Sequence, residues 1–510
     1  MVRVRFAPSP TGPLHIGGVR TALYDYLLAK KHGGSFILRI EDTDQKRFVP
    51  GAEEYIINAL KWMGMTPDEG PGIGGDYGPY RQSERKDLYA KYVKQLLDTG
   101  YAYYAFDTTE ELDAMRTRKE AEGSISQKYD ATVRLEMKNS LSLSKVDTTA
   151  LLERGENVIV RLKVNPGEVI SFNDIVRDRV EFKSEELDDK VLMKADGLPT
   201  YHMANIVDDK HMEISHVIRG EEWLSSTAHH ILLYRALGWE EHIPQFAHLP
   251  LLLKPVGKGK LGKRDGAKFG FPVFPQNWQA EDELYEGFQE HGILPDAAMN
   301  FLAFLGWNPG TEQEIFSEAE LVKAFSLERV NKSGARFDVD KGKWYNQQYI
   351  MSKSNDELAK LILPIAESQG LNVDLEKLSL VCGMMKERVE LLPEFISKAA
   401  FLFQLPEEYD PKTIRKKYKA ENHHHFEAIQ KIIGETADWN SSTIQSNVKE
   451  YIQENELSFG AILPILRIVM TGTMQGPDIF ETISFFGKEE AVHRMEKGLT
   501  FITNTSNTDA

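Results

Sequence analysis

"VRVRFAPSPTGPLHIGGVRTALYDYLLAKKHGGSFILRIED" spans residues 2–42, and its reading decides the fold. Residues 2–6 alternate apolar and basic side chains, the period-two pattern of a half-buried strand. Beyond the loop, Val19, Ala22, Leu23, Tyr26 and Leu27 recur at helical spacing and predict one apolar stripe on one helix face. "GGSFILRIED" then supplies turn glycines and a second apolar strand. Strand, loop, helix, strand is the opening of a doubly wound α/β sheet. Such sheets bind ligands beyond the carboxyl ends of their strands, where the first loop lies.

That loop carries more chemistry than a connection needs. Gly17 and Gly18 let a backbone approach a ligand with no Cβ in between. The helix start is expected to turn free N–H groups and a positive dipole end towards an anion such as phosphate. His15 can donate to the same oxygens, while Pro8, Pro10 and Pro13 stiffen the approach. Alone, a His-x-Gly-Gly segment also fits an ordinary surface turn. A second stretch changes that balance. "KPVGKGKLGKRDGAK" (254–268) holds six basic residues and one acid and has little to pack, so it predicts a mobile loop placing Lys260 and Lys263 on a polyphosphate. Cationic donors of this kind act most strongly where negative charge grows at a transition state. No Walker-type lysine loop is present.

Composition bounds the class. At 510 residues the chain exceeds one compact core, and roughly three or four domains are expected. With 41% hydrophobic and 27% charged residues it reads as a globular protein. No apolar run approaches the roughly 20 residues of a membrane span, and residues 2–6 read as a strand rather than a secretion signal. A single cysteine, Cys382, excludes an intrachain disulfide and a cysteine-rich zinc site and suits a reducing cytosol. The net charge of −16 argues against indiscriminate nucleic-acid binding but leaves selective binding open, since phosphate contacts depend on local charge. "KTIRKKYK" (412–419) is a second basic run, equally readable as a solvated face.

"FAPSPTGPLHIGG", "RIEDTD", "GPYRQSER", "DGLPTYHMANIVDD", "VIRGEEW" and "LGKRDG" occur in the order and spacing of the bacterial glutamyl-tRNA synthetases, a family the chain resembles. The likeness continues through "NFLAFLGWNP", "FSLERVNKSGARFD" and "RIVMTG" to "FFGKEEAVHRM", so it covers essentially the whole chain. The class I "HIGH" element matches His15-Ile16-Gly17-Gly18, and "KMSKS" matches Lys260-Leu261-Gly262-Lys263-Arg264. The resemblance implies an α/β Rossmann-like class I synthetase catalytic domain with an inserted α+β domain, followed by an all-α helical-bundle anticodon-binding domain. The expected boundaries are 1–95 with 198–252 (catalytic), 96–197 (tRNA acceptor-binding insertion), 253–335 (stem contact, with the lysine loop) and 336–510 (helical). "VELLPEFISKAAFLF" and "FGAILPILRIVMTG" carry the helical spacing of that last part.

The family's reaction joins glutamate to the α-phosphate of ATP, then passes the glutamyl group to the terminal ribose of tRNA(Glu). It needs no enzyme nucleophile. The implied cofactors are ATP with Mg²⁺, and the implied protein is a cytoplasmic monomer. The resemblance places Arg5, Arg219 and Tyr201 on the glutamate side-chain carboxylate, Glu41 on its amino group, and Ser9 and Asn205 beside them. His15, Gly17, Gly18, Glu221, Trp223, Lys260 and Lys263 fall on the ATP side, with His15, Lys260 and Lys263 catalytic. Arg388 matches a position that reads the last anticodon base. Gly262 stands where the family usually has a serine, and Gly18 replaces the second histidine of the class element. "YAYYAF" (101–106) and "YDATVR" (129–134) lack the cysteines with which some members hold zinc; aromatic packing and no structural zinc are expected there. His423, His424 and His425 read as structural, and His229 and His230 are expected not to face the core together.

Rival readings meet specific obstacles. Glutaminyl enzymes differ in the first motif and have a barrel-like anticodon region. A shortened relative that glutamylates a tRNA base lacks the second half. A catalytically dead tRNA binder would have lost some of His15, Lys260, Lys263, Arg5 and Glu41, and all five are present. A small-molecule adenylyltransferase needs neither the insertion nor the helical half.

Overall fold

The computed structural model describes residues 1–124, 127–281 and 283–508. In chain order its first part runs β1 (Arg3–Phe6), α1 (Ile16–Lys31), β2 (Ser35–Leu38), α2 (Ala52–Trp62), α3 (Lys86–Asp98), β3 (Ala102–Ala105), α4 (Thr109–Ala121), α5 (Lys145–Arg154) and β4 (Ile159–Leu162). There follow β5 (Val169–Asp174), β6 (Asp178–Lys183), β7 (Val191–Met193), α6 (Tyr201–His211), β8 (His216–Gly220), α7 (Ser226–Ala236), β9 (Gln245–Leu249), β10 (Leu252–Leu253) and α8 (Asp265–Phe269).

β1 and β2 pair in parallel, Arg3 opposite Ser35 through Phe6 opposite Leu38, with α1 as their crossover. The half-buried alternation expected of residues 2–6 is not what forms. Val4 and Phe6 are buried, but so are Arg3 and Arg5. Each arginine is taken into the interior with a carboxylate, Arg3 with Glu69 at 2.8 Å and Arg5 with Asp209 at 3.0 Å, as buried charge requires. α1 departs in the same way. The expected stripe is buried, and so are Arg20, Tyr24, Asp25, Leu28 and Ala29 from its other faces. A crossover helix enclosed by neighbours on several sides cannot show a single stripe. Its last turn carries Lys30 and Lys31, which complement the negative end of the dipole.

β8 and β9 are parallel, and β9 meets β5 in parallel at Phe246 and Asp174. β6 forms the antiparallel edge, giving the order β6-β5-β9-β8. The Ser215 N–H donates to the Arg3 carbonyl at 2.9 Å, tying the lead-in to β8 against β1. The segment 96–197 thus supplies strands to two sheets: β5 and β6 here, and β3-β4-β7 in a separate antiparallel sheet.

In that second region the "YAYYAF" and "YDATVR" segments pack Tyr103, Ala105, Tyr129 and Val133 with Met115. Hydrogen bonds complete the cluster: Tyr103 Oη donates to Asp189 at 2.6 Å and Tyr129 Oη to Asp107 at 3.1 Å, while the Arg161 guanidinium lies 3.9 Å over the Tyr129 ring.

The chain divides into two compact units, Met1–Glu290 with Pro295–Gly342, and His291–Leu294 with the chain from Lys343 onward. The second is helical. Helices His423–Glu435, Ser441–Glu454, Phe459–Thr471 and Lys488–Thr508 enclose a core of Ile429, Ile433, Val448, Ile465, Val469, Met495 and Ile502. "FGAILPILRIVMTG" forms one of these helices, ended by Gly472 at φ 73°. "VELLPEFISKAAFLF" does not form one helix. Pro393 disfavours helix in the residue before it, and the rest gives two four-residue pieces, Glu394–Ser397 and Ala400–Phe403, parted at Ala399, whose φ of −111° and ψ of 17° leave the helical region.

Candidate active site

The carboxyl ends of β1 and β8, the start of α1 and the lysine loop surround a cavity of about 1230 Å³. Arg5, Ser9, His15, Gly17 and Gly18 line it from the first strand and loop. Glu41, Tyr201, Asn205, Arg219, Trp223, Lys260 and Lys263 line it from elsewhere. Of the residues expected on the glutamate and ATP sides, Glu221 alone is absent from the lining. Its Oε1 accepts from the Leu251 N–H at 3.0 Å, and Oε2 is 2.5 Å from Arg177. The next residue, Glu222, faces the cavity instead and pairs with Lys260 at 2.9 Å.

At one end lies a buried charge network. Arg39 donates to Asp209 at 2.7 Å and to Glu41 Oε1 at 3.1 Å, while Arg5 donates to Asp209 at 3.0 Å. Asp208 receives Arg85 at 2.7 Å and Gln82 at 2.9 Å. Asn205 donates to the same Glu41 Oε1 at 3.1 Å. Burial would raise the Asp209 carboxyl, but Arg5 and Arg39 prevail and hold it below its usual range. For Glu41 burial prevails over the pull of Arg39 and Arg5, and its pKa is raised. A cation brought to Glu41 would join Arg39 in offsetting the cost of burying that carboxylate.

The two arginines expected to act together differ in their partners. Arg5 is answered by Asp209. Arg219 donates to Tyr201 Oη at 2.7 Å, Thr227 Oγ1 at 2.8 Å and His248 Nε2 at 3.1 Å, and forms no ion pair among the described residues. Its positive charge is therefore surrounded by neutral acceptors at the cavity wall. Trp223 stands over Tyr201 with ring centroids 4.4 Å apart.

The other end is cationic. His15 caps α1 by accepting the Gly17 N–H on Nδ1 at 3.1 Å, so the ring proton belongs on Nε2. Nε2 is buried with no hydrogen-bond partner of good geometry. Burial, then Lys263 and Lys260, lower its pKa to about 4, partly offset by the Gly262 backbone, so the ring is a neutral donor at neutral pH. The free N–H groups expected at the helix start are not free. Ile16 donates to the Val273 carbonyl at 3.0 Å, Gly17 to His15 Nδ1, and Gly18 to the His15 carbonyl at 2.8 Å. The local explanation for Gly18 also changes, since a Cβ there would lie 2.6 Å from Leu14 Cδ1.

The lysine loop is anchored more firmly than its composition suggests. Leu261 is buried, and its N–H donates to the Leu252 carbonyl at 2.8 Å. The Gly262 N–H donates to Asp265 at 2.7 Å. This buried leucine between two cavity-lining lysines fixes the spacing of their charges. A Cβ at Gly12 would sit 3.5 Å from Lys263 Nζ, so this loop and the first one face each other.

His229 and His230, expected not to face the core together, are both buried on α7. His229 Nε2 donates to the Asp188 carbonyl at 3.0 Å, and His230 Nδ1 lies 3.5 Å from Arg219. Each thus has a polar neighbour on one ring nitrogen, while His229 Nδ1 and His230 Nε2 are buried without a hydrogen-bond partner. His423 and His425 bond to Tyr418 at 2.7 Å and Tyr451 at 3.0 Å. Arg388 belongs to the second unit, where it is exposed just beyond helix Leu375–Met385.

Comparison with known proteins gives a consistent picture. Residues 1–344 match the family described as "tRNA synthetases class I (E and Q), catalytic domain", and residues 357–499 match "Anticodon binding domain". The chain is 52% identical over 500 residues to a glutamate–tRNA ligase of Bacteroides thetaiotaomicron, covering 98% of each. It is 49% identical over 503 residues to that of Amoebophilus asiaticus, again covering 98% of each. Among solved structures, the glutamate tRNA ligase of Elizabethkingia meningosepticum in complex with its amino acid superposes with a TM-score of 0.94 at 46% identity, covering 98% of this chain and 99% of the other.

Proposed function

The chain belongs to the class I glutamate–tRNA ligases, and from that premise we propose how its cavity divides the work. The enzyme activates L-glutamate with ATP and transfers it to tRNA. Arg219, with Tyr201 and Arg5, takes the side-chain carboxylate. A planar fork meets a carboxylate with two hydrogen bonds, and a guanidinium without a carboxylate of its own has charge to offer. Glu41 takes the α-ammonium group, with Asn205 holding its other oxygen and Ser9 nearby. ATP lies towards His15, Gly17, Gly18, Trp223, Lys260 and Lys263. The two lysines and the His15 Nε2–H stabilise charge as the glutamate carboxylate attacks the α-phosphate and pyrophosphate leaves. Mg²⁺ would enter with the nucleotide and lower the phosphate charge. Glu222 fits the one or two carboxylates that such sites draw from protein. No nucleophile of the chain becomes acylated.

For the rest we propose the domain boundaries 1–95 with 198–252, 96–197, 253–335 and 336–510, β5 and β6 contributing to the catalytic sheet. tRNA(Glu) as the preferred tRNA, Arg388 as an anticodon reader, a monomeric state and a cytoplasmic location are part of the same reading. Among the described residues no helix is long and apolar enough to cross a membrane.

The observation that carries the site reading is Arg219 held in the cavity wall by neutral partners alone. A pair of variants tests it. Arg219→Ala should weaken glutamate binding at least tenfold and leave ATP binding within threefold. Lys263→Ala should lower the adenylation rate about 100-fold with glutamate affinity nearly unchanged. Equal losses for both substrates in Arg219→Ala, or a collapse of glutamate affinity in Lys263→Ala, would overturn the assignment.

A further inference from the structure

Behind the cavity wall a buried hydrogen-bonded chain ends on Arg219. Asp174 closes β5 and His248 lies in the adjoining strand β9, and both are buried. Asp174 Oδ2 is 2.6 Å from His248 Nδ1. Its Oδ1 accepts the backbone N–H groups of Val176 at 2.9 Å and Arg177 at 2.8 Å. On the other side of the ring, His248 Nε2 lies 3.1 Å from Arg219 Nε. A guanidinium has no acceptor, so Arg219 donates and Nε2 must present its lone pair. The ring proton is therefore on Nδ1, pointing at Asp174. Thr227 Oγ1 accepts from Arg219 at 2.8 Å and sits 3.2 Å from Nε2, where its hydroxyl can donate. One tautomer satisfies every contact; the other sets an imidazole N–H against a guanidinium N–H.

This arrangement differs from the pairing of Arg5. Asp209 occupies the Arg5 fork directly, with contacts at 3.0 and 3.4 Å. For Arg219 the anion stands one imidazole away. The guanidinium gains a counter-charge while no carboxylate occupies its fork: Nη1 donates to Tyr201 Oη and Nη2 to Thr227 Oγ1, and the residue lines the cavity.

We propose that Asp174 and His248 are positioning residues for amino-acid selection, fixing the orientation of Arg219 and answering its charge from a distance. The proposal rests on the reading of Arg219 as the ligand of the glutamate side-chain carboxylate. Neither residue touches substrate; both act through Arg219.

The test is steady-state aminoacylation by the full chain, with glutamate and ATP varied separately. His248→Leu removes the acceptor and should raise KM for glutamate at least tenfold, leaving KM for ATP and kcat within threefold. His248→Gln brings a side-chain carbonyl to the position of Nε2 and should hold KM for glutamate within threefold of the parent. Asp174→Asn keeps its carbonyl on the two backbone N–H groups and turns its NH₂ to Nδ1, forcing the wrong tautomer, so it should behave like His248→Leu. If His248→Leu does not fold, Asp174→Asn reads the same contact. The proposal is overturned if these variants leave KM for glutamate unchanged, or if the leucine and glutamine variants lose kcat and both KM values alike, as a merely structural role would require. Arg219→Ala separates the two levels. A selective rise in KM for glutamate there, absent in His248→Leu, overturns the relay alone; no selective rise in Arg219→Ala overturns the site reading beneath it.

Discussion

His15 shows how one residue joins folding to chemistry. It spends Nδ1 on capping α1 and keeps Nε2 for the cavity, and burial beside Lys263 and Lys260 keeps it neutral. A histidine whose folded pKa, about 4, lies below its ordinary 6.5 binds fewer protons folded than unfolded. Its contribution is complete above pH 6.5 and is lost as pH falls from 6.5 towards 4. His15→Asn retains a capping side chain that does not titrate. Between pH 7 and 5 the parent should lose about 1–2 kcal/mol more than this variant in urea unfolding; parallel losses would contradict a neutral buried imidazole. At this scale the sequence was informative about identities and silent about pairings. Ser9, Glu41, Tyr201 and Lys263 all line the cavity. That Arg5 is already committed to Asp209 had no local signal, because Asp209 is 204 residues away. Glu221 and Glu222 occupy one 3₁₀ turn, whose successive side chains point apart, so choosing between them required the turn's orientation. His248 and Asp174 left no motif at all; their meaning lies in two strands lying side by side.

The elements were legible where local rules and packing agree. β1, α1 and β2 follow from strand alternation, helical spacing and the turn glycines. What spacing did not convey was how completely α1 is enclosed, since burial on every side depends on neighbours remote in sequence. The interruption at Pro393 was readable in principle from proline's effect on the preceding residue; the close approach of two later helices was not. Gly498, in helix Lys488–Thr508, faces helix Phe459–Thr471 so tightly that a Cβ would lie 2.6 Å from Val469 Cβ and 2.7 Å from its Cα. Backbone there cannot move as a side-chain tip can. Gly498→Ala should destabilise the second unit by about 1–3 kcal/mol despite alanine's better helix propensity. Urea unfolding followed by far-UV circular dichroism checks this, and equal or greater stability would show that the crossing relaxes freely.

For the whole molecule, the catalytic reading depends on separating two kinds of charge within one cavity. The proposed glutamate end sets an arginine with neutral partners against Glu41, while the proposed ATP end gathers a neutral histidine and two lysines. A substrate with two carboxylates and one ammonium group, joined to a polyphosphate, matches that distribution, and glutamine lacks the charge that Arg219 is held to meet. In the proposed reading, the helical unit with its exposed Arg388 extends the same demand for selectivity to the tRNA. Transfer of labelled glutamate to purified tRNA(Glu) and tRNA(Gln), with ATP, Mg²⁺ and tRNA present from the start, tests this account most directly. It predicts rapid charging of tRNA(Glu) with glutamate, at least 100-fold slower charging of tRNA(Gln), and no use of glutamine as the amino acid. Failure of folded protein to charge tRNA(Glu), or comparable use of glutamine, would contradict it.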